Sequence, residues 1–534
     1  MPLELPADLM HPDVFPHPAP HIECIETHIS WVVLAGDYAY KLKKPVDLGF
    51  LDFSTLAKRR AACAEELRIN RRTAPMLYEA VVGITANPVR VQPGNANGAQ
   101  EYAAQEYAVK MCRFSQERLL SALLATHTEM PTLMERLATH VADFHAQVAV
   151  AAPEGEFGHP DNVYRPVQEN FGQMREVLAA ADLQALLGKV EQWSASTFAA
   201  LHDVFAGRLA AGHVRECHGD LHLGNIVVLE EQPVLFDAIE FNPSLRWIDV
   251  MADVAFLVMD LQARGRADLG WRFLNAWLEK TGDYAGLRLL PFYLCYRAMV
   301  RAKVAAIRFG QLQAELQGSE RDASLAECRR YLELAARYTE PARTALVLTH
   351  GISGSGKTTN SQHLADAFGL VRVRADVERK RLYGLAATQS SAGIPGGIYS
   401  AAANARVQDR LEALAETVLQ AGFPVLVDAT FIRKAPRERM ARLARKMQRP
   451  CLLLAFVAPA EVLRTRVAQR SAEGRDASEA DTSVVDKQLA ACEALEGSEK
   501  AAALTIDTSQ AINWEWVLPE FEALWARVKK ERQE

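Results

Sequence analysis

The sequence has no pair of cysteines at the short spacing that metal sites and disulfide frameworks use. Its eight cysteines are scattered along 534 residues, so we predict free, buried thiols. No apolar stretch approaches the ~20 residues needed to cross a bilayer. Residues 1–20 carry prolines, histidines and carboxylates where a signal peptide needs a basic and then an apolar region. These absences predict a cytoplasmic protein without membrane spans.

The sequence also lacks a strong excess of either charge. It has 60 Lys and Arg against 66 Asp and Glu, for a net charge of −6. Dedicated nucleic-acid binders are strongly basic, so we do not expect a nucleic-acid partner. The hydrophobic fraction of 49% is that of a globular protein, and a chain of this length requires more than one domain.

The first half of the chain changes from a proline-rich arm to a small sheet and then to helices. Residues 1–22 are predicted to form an extended arm, since their prolines exclude helix. In residues 23–115, strand-like stretches flank Gly36 and Asp37, which predict a hairpin, and one charged helix follows. We therefore predict an N-lobe at 23–115 and a mainly helical C-lobe at 116–338.

The second half has a different pattern. Residues 339–344 contain a proline and polar residues that stop the preceding helix, so we predict a linker there. Short apolar runs then alternate with helical patterns through residues 345–534. This alternation predicts an α/β domain built on a parallel sheet.

The most specific local pattern lies at the start of that domain. Residues 351–358 match GxxxxGK[ST] and lie between an apolar strand and a helix. In such a P-loop the backbone holds phosphates, Lys357 reaches the β/γ oxygens and the Thr358 hydroxyl coordinates Mg²⁺. The predicted nucleotide-binding residues are Gly351, Ser353, Gly354, Ser355, Gly356, Lys357, Thr358 and Thr359.

Carboxylates and arginines complete this second predicted site. Asp376 follows the second strand and is predicted to accept the proton of an attacking hydroxyl, the alternative being a helix cap. Asp428 ends a Walker-B-like strand and is predicted to bind Mg²⁺ or its waters. Arg466 and Arg470, four residues apart, share a helix face. They are predicted to form a lid over the phosphoryl group, the alternative being solvated or acid-paired arginines.

Across about 345–510 these residues resemble the small P-loop kinases of the polynucleotide-kinase, zeta-toxin and gluconate-kinase type. The resemblance assigns Asp376 as the aspartate that meets the substrate hydroxyl and Asp428 as the acid of the second motif. A basic run at 433–449 leaves a polyanionic substrate open. An exposed helix face is the favoured explanation of that run.

The C-lobe carries the other strong pattern. Residues 218–225 read His-Gly-Asp-Leu-His-Leu-Gly-Asn, which has the HxDxxxxN spacing of a kinase catalytic loop. Asp220 is predicted to orient or deprotonate the acceptor hydroxyl. Asn225 and the later Asp237 are predicted to bind the metal that neutralises phosphate charge.

A lysine of the N-lobe must meet the α/β phosphates in such a site. Lys41 is the predicted residue, and Lys43, on the same face of the strand, is the alternative. Glu65 is predicted to pair with the lysine, with Glu66 as the other candidate. Asp253, in a helical segment, is predicted to brace the catalytic loop together with Asp249. In place of a glycine-rich loop, residues 24–30 with Thr27 and Ser30 are expected to cover the phosphates.

Residues 23–340 resemble the aminoglycoside-phosphotransferase and choline-kinase superfamily through the 218–225 motif and Asp237. The order of the two modules is similar to bacterial proteins described as bifunctional aminoglycoside phosphotransferase/ATP-binding proteins. The resemblance implies an α+β bilobal protein-kinase-like domain followed by an α/β P-loop NTPase domain with a parallel sheet. It implies two kinase sites that use ATP and Mg²⁺ on hydroxyl groups of small molecules. The alternatives are a nucleotide or RNA 5′-hydroxyl kinase in the second domain, or one domain that only senses ATP.

Overall fold

The computed structural model describes residues 3–47, 49, 51–92, 104–178, 180–312, 318–394, 397–473 and 477–530. The chain divides into two compact units. One comprises Met1–Leu178 and Ala195–Asp260, and the other comprises Ala179–Ser194 and Leu261–Glu534.

A six-stranded antiparallel sheet opens the first unit. Its strands are β1 (Ile22–Glu26), β2 (Ser30–Ala35), β3 (Tyr38–Lys43), β4 (Tyr78–Ala86), β5 (Val89–Val91) and β6 (Glu106–Cys112). The order across the sheet is β1-β2-β3-β6-β4-β5. The predicted hairpin joins β2 to β3, where Gly36 has a φ of 57°. β3 therefore lies inside the sheet, which holds its side chains in fixed positions.

Helix α1 (Leu56–Asn70) covers one face of this sheet. It begins at Thr55, whose side chain accepts a hydrogen bond from the backbone N–H of Lys58. Cys63 and Leu67 of α1 pack with Val81 and Val109 of the sheet in a buried apolar cluster. This packing fixes the rotation of α1 against β3.

The proline-rich arm packs on the opposite face, which corrects the prediction of an extended arm. It contains two 3₁₀ turns, Ala7–Leu9 and Pro12–Val14, and it buries Leu9, Val14 and Phe15 against the sheet. Proline excludes the interior of an α-helix but is compatible with short turns. The apolar residues of the arm gain by covering a sheet face that would otherwise meet water.

The remainder of the first unit is helical with two short antiparallel ribbons. Its helices are α2 (Leu120–Leu123), α3 (Met130–Gln147), α4 (Pro160–Val177), the part of α5 (Ala181–Ala210) from Ala195 onward, and α6 (Val250–Ala263) as far as Asp260. The remaining residues of α5 and α6 belong to the second unit. The ribbons pair β7 (Val214–Glu216) with β10 (Trp247–Asp249) and β8 (Ile226–Leu229) with β9 (Gln232–Leu235). The segment between β7 and β8 holds the predicted catalytic loop.

The second unit contains a five-stranded parallel sheet in the order β12-β13-β11-β14-β15. Its strands are β11 (Leu346–His350), β12 (Val371–Arg374), β13 (Val425–Asp428), β14 (Cys451–Val457) and β15 (Ala503–Asp507). The helices of this unit are α7 (Ala267–Thr281), α8 (Leu290–Gln311), α9 (Gly318–Tyr338), α10 (Lys357–Phe368), α11 (Ala375–Arg381), α12 (Ala401–Gln420), α13 (Lys434–Lys446), α14 (Ala460–Glu473), α15 (Thr482–Ala491), α16 (Gly497–Ala501) and α17 (Trp514–Lys530). β11 lies at the centre of the sheet, so the loop that follows it emerges between neighbouring strand ends.

Helix α7 caps the edge of this sheet. The Asn275 side chain donates to the carbonyl of Leu370 at 3.0 Å and accepts from the N–H of Arg372 at 2.8 Å. The Asn275 side chain thereby pairs with backbone groups at the edge strand β12 that would otherwise have no hydrogen-bond partner. Residues 261–338 consequently group with the P-loop region, and the predicted linker at 339–344 does not coincide with the boundary between the compact units.

The cysteines are free, as predicted, but only half of them are buried. Cys63, Cys217, Cys295 and Cys328 are buried, whereas Cys492 is exposed and the rest are half-buried. Within the described residues, no helix combines the length and apolar character that crossing a membrane requires.

Candidate active sites

Three elements bring together a lysine and two carboxylates in the first unit. Lys41 on β3 lies 2.9 Å from Glu66 on α1, measured from Nζ to Oε1, and also contacts Asp237, which follows β9. Burial disfavours the charged lysine, but the carboxylates of Asp237 and Glu66 raise its pKa well above the ordinary value. Lys41 is therefore a fixed cation beside a carboxylate whose side chain is 38% exposed.

Glu65, the residue predicted to pair with this lysine, is the wrong one. Its carboxylate contacts Arg68 at 2.7 Å and also contacts Arg246. Successive helix residues point about 100° apart, so the fully buried Glu66 faces the sheet while Glu65 faces the arginines. The alternative candidate, Glu66, is the partner of Lys41.

Lys43 forms a second ion pair beneath the first. Its ammonium group lies 2.5 Å from the Glu66 carboxylate and contacts Glu240. The Lys43 side chain is fully buried, whereas that of Lys41 is 13% exposed. Only Lys41 therefore reaches the surface that a nucleotide would meet. We did not predict Glu240, although it stands three residues after Asp237.

Asp253 of α6 holds the backbone of the catalytic loop. Its carboxylate accepts hydrogen bonds from the N–H groups of His218 at 3.0 Å and Gly219 at 2.9 Å, and lies 3.2 Å from Nε2 of His145. Burial raises the pKa of Asp253, but the contact with His145 and the N–H donors outweigh it, so the pKa lies below its usual value. Asp249, the other predicted brace, pairs with Arg208 of α5 instead.

Replacing Asp253 by alanine is expected to destabilise the first unit by roughly 2–5 kcal/mol, because buried N–H groups lose their acceptor. Urea unfolding followed by circular dichroism measures this loss. The difference in unfolding free energy between wild type and variant should have its full size above the ordinary aspartate pKa of about 4. It should become smaller as the pH falls through the lowered pKa of Asp253. The control is Asp203→Ala on α5, a fully exposed side chain. An equal loss in both variants would contradict the role of Asp253.

The catalytic loop holds Asp220 from two sides. The Asn225 side chain donates to the Asp220 carboxylate and to the Asp220 carbonyl, both at 3.0 Å. Nε2 of His222, which we did not predict, lies 3.4 Å from the same carboxylate oxygen. Nδ1 of His222 accepts from the N–H of Gly224, which leaves the Nε2 proton facing Asp220 in the neutral ring. Asp220 is thus oriented by its own loop.

Pairing of β8 with β9 brings the predicted metal ligands Asn225 and Asp237 near each other. The N–H of Phe236 donates to the carbonyl of Asn225 at 3.0 Å, and Asp237 is the next residue. Asp237 has a φ of 62°, and its N–H donates to the hydroxyl of Tyr78 at 3.1 Å. Thr27, predicted to cover the phosphates, uses its hydroxyl to close the β1–β2 turn with Ser30.

In the second unit, the P-loop curls between β11 and α10. Gly354 and Gly356 have φ values of 86° and 72°, a region that side chains avoid. A Cβ on Gly354 would stand 2.6 Å from the carbonyl of Leu463, so the loop requires glycine there. The other predicted residues lie along this turn: Gly351, Ser353 and Ser355 are buried, Lys357 and Thr358 are half-buried at the start of α10, and Thr359 is exposed.

Two carboxylates lie at strand ends beside this loop. Asp428, the last residue of β13, is buried and accepts from the Thr349 hydroxyl at 3.5 Å, and Nε of Arg374 lies 3.9 Å away. Asp376 stands in the first turn of α11, and its side chain makes no hydrogen bond or ion pair with any residue that the structure describes. Burial, and then the Asp376 charge, raises the pKa of Tyr399 to about 12. Asp376 and Tyr399 are therefore close enough to interact.

The two predicted lid arginines have different positions. Arg466 donates to the Thr508 carbonyl at 2.6 Å and to the Gly354 carbonyl of the P-loop at 3.4 Å. Arg470 contacts Ser478 and Ala480 at 3.4 and 3.5 Å. Arg466 therefore contacts the P-loop backbone, and Arg470 contacts the segment that follows α14; their role as a lid stays a prediction.

Sequence reasoning missed two further contacts of the P-loop. The Gln488 side chain on α15 accepts from the N–H of Ser353 at 2.8 Å, and the Thr508 hydroxyl donates to the carbonyl of Ser355 at 2.9 Å. Both residues lie more than one hundred positions from the loop, and no local pattern marks them.

Two known protein families match different parts of the chain. Residues 104–290 match the phosphotransferase enzyme family, and residues 346–495 match the AAA domain family. The chain therefore combines a domain of the phosphotransferase enzyme type with a P-loop domain, which confirms the predicted fold class and the resemblance to aminoglycoside phosphotransferases joined to a P-loop domain.

Relatives that match most of the chain occur in mycobacteria. An uncharacterized protein of Mycobacterium tuberculosis (strain ATCC 25618 / H37Rv) is 30% identical over 459 residues, which cover 86% of this chain and 88% of that protein. An uncharacterized protein of Mycobacterium bovis has the same identity and coverage. The chain belongs to the family of these proteins.

Solved structures resemble each part. A choline/ethanolamine kinase family protein from Mesorhizobium loti is 13% identical with a TM-score of 0.34, covering 59% of this chain and 92% of that chain. A gluconokinase from Sinorhizobium meliloti 1021 is 17% identical with a TM-score of 0.24, covering 36% of this chain and 96% of that chain.

Proposed function

We propose that each domain transfers the γ-phosphoryl group of ATP to a hydroxyl group of a small molecule, with Mg²⁺ bound at each site. The observation that carries the proposal is the meeting of Lys41, Glu66 and Asp237. Lys41 and Asp237 are 196 residues apart in the sequence, so the fold itself assembles them. A lysine, its glutamate partner and a metal-binding aspartate are the parts that a kinase needs around the phosphates.

In the first domain the residues divide into an acceptor side and a phosphate side. Asp220, oriented by Asn225 and His222, would accept the proton of the attacking hydroxyl. Lys41 would pair with phosphate oxygens while Glu66 keeps it in place. The amide oxygen of Asn225 and the carboxylate of Asp237 are the oxygen ligands that Mg²⁺ prefers, and the bound ion would neutralise phosphate charge.

In the second domain the P-loop supplies the phosphate side. Its backbone turns through left-handed glycines, which lets N–H groups point inward at phosphate oxygens. Lys357 would meet the β/γ oxygens. The hydroxyl of Thr358 and the carboxylate of Asp428 suit Mg²⁺. Asp376, in the first turn of α11 just after β12, is where an acceptor hydroxyl would lose its proton.

The test is transfer of radiolabelled γ-phosphate from ATP into the small molecules of a metabolite extract by the full chain. Two labelled products that disappear when EDTA removes Mg²⁺ are expected. A parallel reaction contains single-stranded RNA with a 5′-hydroxyl. Label in RNA alone would replace the small-molecule proposal for the second domain with a polynucleotide kinase. Nucleotide binding without any labelled product would favour an ATP-sensing module.

A further inference from the structure

Helix α7 places one carboxylate against two arginines of the P-loop domain. Glu279 lies 2.9 Å from Nε and 2.7 Å from Nη2 of Arg372, and its other oxygen lies 3.3 Å from Nη1 of Arg374. The Glu279 side chain is only 14% exposed. Burial raises its pKa, but the two guanidinium groups lower it below the ordinary value, so the carboxylate is charged.

Each of these arginines also reaches a residue proposed to hold Mg²⁺. Nη1 of Arg372 donates to the carbonyl of Thr358 at 3.3 Å. Nε of Arg374 lies 3.9 Å from the carboxylate of Asp428. The two arginines alternate on β12 and so share one face of that strand. Glu279 therefore sets the position of both guanidinium groups relative to Thr358 and Asp428.

We propose that Glu279 is a positioning residue of the P-loop metal site. It binds the guanidinium group of Arg374 at 3.3 Å and so holds that group 3.9 Å from the Asp428 carboxylate, too far for a close ion pair, which keeps the carboxylate available to Mg²⁺. The inference rests on the proposed function of the second domain. It also gives the P-loop site a residue from the segment that matches the phosphotransferase family, because residues 104–290 include α7.

The position of α7 does not depend on Glu279. Asn275 pairs with the backbone of β12, and Trp271 packs so closely on Gly369 that a Cβ there would stand 2.7 Å from the indole ring. Arg272 binds Asp366 of α10 at 2.5 Å. Substitution at Glu279 therefore removes a charge and leaves the helix anchored.

The test measures Mg²⁺-dependent nucleotide binding at the P-loop alone. Hydrogen exchange of the peptide covering residues 351–359 is followed in the full chain during titration with ADP, with and without Mg²⁺. Glu279→Gln is expected to weaken the Mg²⁺-dependent protection ~10–100-fold in apparent affinity. Protection by ADP in the absence of Mg²⁺ should not change.

The matched control is Arg272→Gln, which breaks an ion pair between the same helix and the same domain but touches neither Thr358 nor Asp428. Its Mg²⁺ affinity should equal that of wild type. Adding Arg374→Gln to Glu279→Gln should restore the affinity, because the competing cation is gone. Glu279→Asp keeps the charge and should fall between wild type and Glu279→Gln, which tests the proposal even where Glu279→Gln folds poorly.

Three results decide the matter. Weakened Mg²⁺ affinity in Glu279→Gln, restored by Arg374→Gln, supports the proposal. Equal Mg²⁺ affinity in Glu279→Gln and Arg272→Gln overturns it and leaves Glu279 as an ordinary interface residue. Absence of Mg²⁺-dependent protection in the wild-type P-loop overturns the proposed function of the second domain, and the inference with it.

Discussion

Replacing Lys357 by alanine is expected to slow phosphate transfer by the second domain ~10²–10³-fold, because it removes a preorganised cation from the transferring phosphoryl group. The side chain is half-buried at the start of α10, and alanine is well suited to that position in a helix. The fold should therefore persist. The measurement is the initial rate at which label from ATP enters the second product.

The first domain provides the internal control for this variant. Its product should form at the wild-type rate, because Lys41, Asp220 and Asp237 all lie in the other compact unit. Lys500→Ala, an exposed lysine on α16 of the P-loop domain, should leave both products unchanged. Loss of both products in Lys357→Ala would instead show that the P-loop controls the first domain.

The parts of the sites that the sequence predicted are those whose residues stand close together in the chain. The P-loop and the 218–225 loop each need a fixed spacing, because one short turn must present several groups to phosphate or metal. Asp428 ends an apolar strand of the parallel sheet, where α/β ligands bind, and Asp237 follows a short apolar strand after the 218–225 loop. Such patterns are visible without knowledge of the tertiary structure.

The choice between Glu65 and Glu66 needed the rotation of α1, which depends on how Cys63 and Leu67 pack on the sheet. Glu279 meets Arg372 across 93 residues, and Gln488 meets Ser353 across 135. No period or spacing in a single sequence encodes such pairs. The packing of the arm against the sheet was predictable in part. Its apolar side chains are stabilised by burial, which an extended arm in solvent would not provide.

Replacing Asp220 by asparagine is expected to reduce the rate of the first domain ~10²–10⁴-fold, because the amide does not accept the proton of the attacking hydroxyl. The substitution preserves shape, and the asparagine oxygen still accepts the hydrogen bond that Asn225 donates. Lys41, Asn225 and Asp237 remain, so ATP should bind as before. A lowered kcat with an unchanged KM for ATP is the expected result.

The matched control is Asp37→Asn, an exposed aspartate in the β2–β3 turn of the same domain, where asparagine is equally suited to a turn. It should retain the wild-type rate. If Asp220→Asn leaves every labelled product unchanged while Lys357→Ala removes them all, the first domain does not transfer phosphate and acts as a nucleotide sensor. The opposite pattern would assign that role to the P-loop. Two independent losses are expected, because a pure sensor has no use for an aspartate that Asn225 and His222 hold in position for an acceptor hydroxyl.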